Sequence, residues 1–158
     1  MNETDKKMMR RAIELARIGM ESGVGGPFGC VVARGDEIIA EGNNRVSSAN
    51  DPTAHAEVVA IREACKALST FQLDGCSVYT SCEPCPMCLG AIYWARPDRV
   101  YFACNRDDAA EAGFDDALIY DELAIPNEER QRAMISLLRD EGVALFQEWI
   151  AKPDKIEY

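Results

Sequence analysis

The 158 residues contain a single histidine, His55, and it falls in the run His55-Ala56-Glu57, thirty positions ahead of Cys85 in Pro84-Cys85-Pro86-Met87-Cys88. This pairing constrains the fold more than any other feature, because two distant segments must meet at one point if they are to share an ion. Cys85 and Cys88 stand one helical turn apart, so both thiolates can turn toward the same centre. A zinc ion that catalyses hydrolysis takes three protein ligands and keeps a fourth position for water, whereas a structural zinc fills all four positions. The set here comes to three, His55, Cys85 and Cys88, and implies one Zn2+ per subunit. Cys82 is the residue that would close the site if it were structural. Zinc brings the pKa of its water down toward about 7. A carboxylate at Glu57, so close to His55, can take that water's proton and pass it to the reacting atoms.

The elements around these residues follow from periodicity. Met9, Ala12, Ile13, Ala16 and Met20 recur at helical spacing and predict an opening amphipathic helix over 6–20, ended by Gly19, Gly23, Gly25 and Gly26. Two short β-rich runs flank Arg34-Gly35-Asp36, so 28–43 reads as a β-hairpin. Thr53 is the expected N-cap of a second helix over 54–68, with His55 and Glu57 in its first turn. A strand at 76–80, a helix at 85–95 that tolerates Pro84 and Pro86 at its start, and a strand at 100–104 follow. Both ligand groups therefore fall at helix N-termini, where the positive end of the dipole favours thiolates. Alternation of this kind implies helices on both faces of a sheet with parallel neighbours. The run 133–139 reads as helix by propensity or as an added strand. Pro126-Asn127 marks a hinge before a C-terminal arm at 127–158, with a helix at 143–152.

Length and composition suit a single domain spanning 1–158, since 47% of the residues are hydrophobic. A net charge of −10 opposes binding to a nucleic-acid backbone or an anionic membrane. No apolar run approaches a membrane span, and the first residues carry no apolar signal core, so a soluble, cytoplasmic protein is expected. Seven cysteines, three of them within 82–88, fit a reducing compartment and a metal better than a disulfide framework. Cys30, Cys65, Cys76 and Cys104 read as small buried hydrophobes.

His-x-Glu followed by Pro-Cys-x-x-Cys is the pattern of zinc enzymes that deaminate nucleobases. Gly25 to Gly29, Asn50 to Glu57, Tyr79 to Cys88 and Ala91 to Arg96 resemble the cytidine-deaminase-like superfamily, and more closely its guanine deaminase branch. The run through the ligands is similar to tRNA adenosine deaminases as well, so the distinction rests on Glu111 to Asp116 and on the terminal Glu157-Tyr158. The resemblance implies a three-layer α/β/α fold around a central mixed five-stranded sheet. It implies that Phe28 and Trp94 wall the purine plane and that Asn44 hydrogen-bonds the ring edge. Asp116 would face the guanine edge and act as a second proton shuttle. Tyr158 would close the pocket from a C-terminal arm swapped between the subunits of a homodimer.

Guanine presents N1–H and its 2-amino group side by side, a donor pair that a carboxylate accepts as a fork; adenine has no such pair. On the residues alone, Asp115 and Asp116 could equally be a solvated acidic loop, Phe28 and Trp94 core residues, and Asn44 a turn residue. The expected activity is zinc-dependent hydrolysis of guanine to xanthine and ammonia, in purine catabolism or salvage. The alternatives are guanosine deamination, tRNA adenosine deamination, and a non-catalytic zinc-stabilised binding module.

Overall fold

In the computed structural model, which describes residues 2–158, helix α1 (Glu3–Glu21) starts ahead of the apolar stripe that predicts it. The reason is a capping box: Asn2 Oδ1 accepts from the Asp5 amide, and the Asp5 carboxylate accepts from the Asn2 amide. Strands β1 (Gly29–Arg34) and β2 (Glu37–Asn43) form the expected antiparallel hairpin, with Gly35 at φ +61° in the turn. A short helix α2 (Val46–Ala49) leads to α3 (Ala56–Leu68). The N-cap of α3 is His55, not Thr53. Thr53 instead donates its amide and hydroxyl to Asp51 Oδ1, a local turn that competes with capping. Strand β3 (Ser77–Cys82), α4 (Pro86–Ala95), β4 (Arg99–Cys104) and α5 (Arg106–Glu111) complete the order.

The strands lie in the order β2-β1-β3-β4, antiparallel except for the parallel β3–β4 pair. Alternate residues of β1 serve opposite faces, as a pleated strand requires. Val31 and Ala33, with Tyr79 of β3, pack against Met8, Ala12 and Leu15 of α1. Cys30 and Val32, with Val78, pack against Ala56, Ala60 and Ala64 of α3 and Ala95 of α4. Helices thus cover both faces.

The sheet has four strands among the described residues, which corrects the five expected. The remaining β candidate, 133–138, is neither helix nor strand, and Arg139 already belongs to helix α7 (Arg139–Ala151). A strand requires a partner edge for its backbone N–H and C=O groups, and among the described residues this run is paired with none. Its Ile135 and Leu137 side chains are 85% and 82% exposed. The chain divides into two compact units, one ending at Asp116 and the other running Ala117–Tyr158. The second holds helix α6 (Ala117–Ala124), a 3-10 turn at Asn127–Glu129, and α7. No helix among the described residues is long and apolar enough to cross a membrane.

Helix-to-sheet contact is closest at two glycines. A Cβ on Gly29 would lie 2.2 Å from the Ala12 carbonyl oxygen of α1. One on Gly42 would lie 2.4 Å from the Ala56 oxygen and 2.8 Å from the Ala60 nitrogen, in the first turns of α3. Gly42 therefore sets how near the His55 and Glu57 end of α3 comes to the sheet. We expect Gly42→Ala to cost about 1–3 kcal/mol in denaturant melts, as overpacking against backbone does, and to weaken metal retention. Gly90→Ala is the control: a Cβ there meets nothing within 4 Å, and the change should be neutral or stabilise α4 by about 0.5–1 kcal/mol.

Candidate active site

Two helix N-termini supply the metal-binding side chains. His55 caps α3 and Cys85 caps α4, and neither uses its side chain for a capping hydrogen bond. Pro86 takes the first position of α4, where a missing N–H costs nothing. Cys88, one turn on, lies on the buried face of α4 with Ile92 and Ala95. His55 Nδ1 stands 3.6 Å from Cys85 Sγ and 3.4 Å from Cys88 Sγ. A tetrahedral zinc with Zn–S of about 2.3 Å and Zn–N of about 2.05 Å separates nitrogen and sulfur by about 3.6 Å. One imidazole and two thiolates at that spacing fit zinc in both chemistry and geometry.

Among the described residues, the three ligand atoms form the one group with metal-binding potential, all within 4.8 Å of one another. Cys82 is outside it. Its sulfur turns to the Asn105 carbonyl oxygen at 3.7 Å, so the reading in which Cys82 closes the site has no geometric support. Hydrogen bonding from Cys88 and the His55 ring pushes the Cys85 thiol down to about 4, while the Cys85–Cys88 bond and burial push Cys88 up.

Glu57 is only 6% exposed and is held at both oxygens. The Thr80 hydroxyl donates to Oε1 at 3.2 Å, and the Cys88 thiol donates to Oε2 at 3.4 Å. Burial raises its pKa, opposed by its own backbone amide and by Cys88. A carboxyl in such surroundings can hold a proton and release it again. Thr80 is the residue that sequence reasoning missed. The sequence offered no signal that sets Thr80 apart, since Ser77 and Ser81 are polar residues of the same strand.

The other candidates divide. Asn44 is buried; its Oδ1 accepts from the Gly26 and Val46 amides at 3.3 and 3.2 Å, and its own amide donates to the Phe28 carbonyl at 3.0 Å. With both lone pairs of Oδ1 taken, its Nδ2–H group is what a ligand could use. Phe28 is half-buried, with its ring against Phe114. Asp116 has its pKa raised by burial first and by the negative charge at Cys85 second. Trp94 is 65% exposed, on α4 but off the face that carries Cys88, Ile92 and Ala95. Tyr158 belongs to the second unit and is exposed. A groove of about 440 Å³, lined by Asp5, Met9, Arg10, Val100, Tyr101 and Phe102 among others, lies between α1 and β4, against the face of the sheet opposite α3 and α4.

Comparison with known proteins follows the same lines. Residues 2–104 match the cytidine and deoxycytidylate deaminase zinc-binding region. The guanine deaminase of Bacillus subtilis (strain 168) is 55% identical over 150 residues, 95% of this chain and 96% of that protein. An X-ray structure of guanine deaminase from Bacillus subtilis superposes with a TM-score of 0.95 at 54% identity, covering 100% of this chain and 99% of that one. Guanine deaminase from Nitrosomonas europaea is more distant, with a TM-score of 0.67 at 32% identity over 92% of this chain and 84% of that one. The tRNA-specific adenosine deaminase of Bacillus subtilis is 42% identical, but over 98 residues that make up 62% of this chain and 60% of that protein. A match at this identity along nearly the full length of both chains, around a His55, Cys85 and Cys88 cluster of zinc-binding geometry, makes the chain a member of the guanine deaminase family.

Proposed function

We propose that this protein hydrolyses guanine to xanthine and ammonia. The observation that carries the reading is a buried carboxylate, Glu57, fixed by Thr80 beside a three-donor metal cluster that lacks a fourth protein ligand. Zinc, when bound by His55, Cys85 and Cys88, supplies a Lewis acid that makes hydroxide available from water near neutral pH. Glu57 takes the proton released when water adds to C2 and delivers it to the ring nitrogen beside C2. It then carries the second proton from the new hydroxyl to the amino group, so that the tetrahedral carbon expels ammonia and retains a carbonyl oxygen.

Substrate choice is assigned to the remaining residues. Asp116 accepts the donor edge of guanine and serves as a second proton shuttle, a role supported by its electrostatic link to Cys85. Asn44 donates through Nδ2 to an acceptor on the ring, consistent with both lone pairs of its oxygen being engaged by the loop. Phe28 and Trp94 wall the purine plane. The acidic charge of −10 favours a free base over a polynucleotide, and seven cysteines free of disulfides suit a reducing cytoplasm.

The protein further works as a homodimer in which the arm from 127 to 158 crosses to the partner and Tyr158 closes the partner's pocket. Support comes from the exposed apolar run 133–138 and from β4, which ends the sheet with Val100 and Phe102 uncovered. An edge strand and an unpaired apolar segment of this kind are complementary liabilities that strand exchange removes together.

Ammonia release from guanine, guanosine, adenine, cytidine and cytosine tests the substrate, and guanine should be the one rapidly consumed. Turnover of guanosine without guanine would contradict the reading, and turnover of adenosine in tRNA alone would replace it. Glu57→Gln should lower kcat by about 10²–10⁴-fold with one zinc per chain retained; a variant that stays active would take Glu57 out of the proton-transfer role, and a zinc-loaded wild-type protein that releases ammonia from none of these substrates would leave only a zinc-stabilised module. For the swap, Glu57→Ala and Tyr158→Ala chains, each impaired alone, should recover activity when coexpressed, because one pocket of the mixed dimer then has an intact Glu57 and an intact partner Tyr158. Without exchange no pocket is intact, and coexpression restores nothing.

A further inference from the structure

We propose that Phe114 is a positioning residue for guanine recognition, locking the turn that carries Asp116 onto the ring of Phe28. The proposal rests on the reading of Phe28 and Asp116 as substrate contacts and concerns what holds them in register. The turn begins as a helix ending. At the end of α5 the Phe114 amide donates to the Ala109 oxygen and the Gly113 amide to the Ala110 oxygen, both at 2.9 Å, with Gly113 at φ +90°. This is a Schellman cap, in which the residue after the left-handed glycine ordinarily packs an apolar side chain back onto its own helix.

Phe114 makes a contact outside that motif. Its ring meets Phe28 edge to face, with centroids 4.8 Å apart and planes at 85°, the arrangement that aromatic quadrupoles prefer. Gly26 lies against the same pair: a Cβ there would come within 3.3 Å of the Phe28 ring and 3.4 Å of Phe114 Cε1. The Phe28 carbonyl accepts from Asn44, so one connected unit runs from Asn44 through Phe28 and Phe114 to Asp116, two residues further on. The other end of α5 is held as well, by the Asn105 capping box and by the Arg106 amide donating to Glu83 Oε2, beside the metal-ligand loop.

Phe114 nevertheless stays 45% exposed. A residue so placed adds little to the core, and its removal should loosen the turn without unfolding the protein. The Asp116 carboxylate must meet the donor edge of a base whose plane Phe28 defines. The two contacts are useful only at a fixed separation, and the Phe28–Phe114 pair fixes it.

The test is a double-mutant cycle with Phe114→Ala, Asp116→Asn and the combination, assayed on guanine, with Phe114→Tyr as the conservative variant. Phe114→Ala should lower kcat/KM by about 10–100-fold, as misplacement of a reacting group does, with zinc content and thermal midpoint close to wild type. The double variant should be no worse than Asp116→Asn alone, because the turn has nothing left to position. Phe114→Tyr should restore most of the loss. Hydrogen exchange at the Gly113 to Asp116 amides should quicken about tenfold in Phe114→Ala. Losses that multiply in the double variant, or unchanged exchange at these amides, would overturn the proposal. If Asp116→Asn keeps full kcat/KM, the role given to Asp116 fails separately, and faster exchange in Phe114→Ala would still show that Phe114 holds the turn.

Discussion

The site depends on one constraint: two helices must begin at the same place, each with a metal-binding side chain at its N-cap. N-cap side chains normally satisfy the first amides of their own helix. His55 and Cys85 do not, and their side chains face one another instead. The strand-to-helix connections make this meeting possible. β3 delivers the chain at Cys82 to the loop that carries Cys85, and Gly42 of β2 lets the first turns of α3 settle against the sheet. The ligand cluster is thus a consequence of backbone packing, with small residues wherever helix and sheet approach closely.

The same packing accounts for the chemistry. Glu57 is buried because it sits one residue into α3, on the face that meets β3, where Thr80 is available to hold it. Burial raises the cost of its charge, while the helix N-terminus and its own amide lower it. Opposed influences of this kind are what the proposed shuttle role asks of a buried carboxyl. Asp116, proposed to face the substrate, lies between α5 and α6 and outside any helix or strand, so its placement depends on side-chain contacts that the sheet does not enforce.

This difference explains what could be read from the sequence. His55, Cys85 and Cys88 were legible as a ligand set because His-x-Glu and Cys-x-x-Cys are each local patterns, and the structure puts them at the N-termini of α3 and α4. The hairpin, the sheet-helix alternation and the parallel β3–β4 pair were legible for similar reasons. Thr80 was not, since its meaning appears only when β3 lies beside α3. Phe114 was given no role of its own within Glu111 to Asp116, because nothing in the sequence joins it to Phe28, 86 positions earlier. The fifth strand was expected from resemblance, but a strand exists only with a partner edge, and one chain does not pair 133–138 with one. Thr53 was a sound N-cap by type and lost to a turn with Asp51 that is equally local. Which side of α4 Trp94 occupies was likewise invisible until the burial of Cys88, Ile92 and Ala95 fixed the inner face.

The central claim is an open, three-ligand zinc centre, and X-ray absorption at the zinc edge of the metal-loaded protein tests it most directly. The account predicts two sulfur scatterers at about 2.3 Å and two lighter nitrogen or oxygen scatterers at about 2.0–2.1 Å, the second of the lighter pair being solvent. A third sulfur in the first shell would mean that Cys82 closes the centre, and would contradict a hydrolytic role for this site.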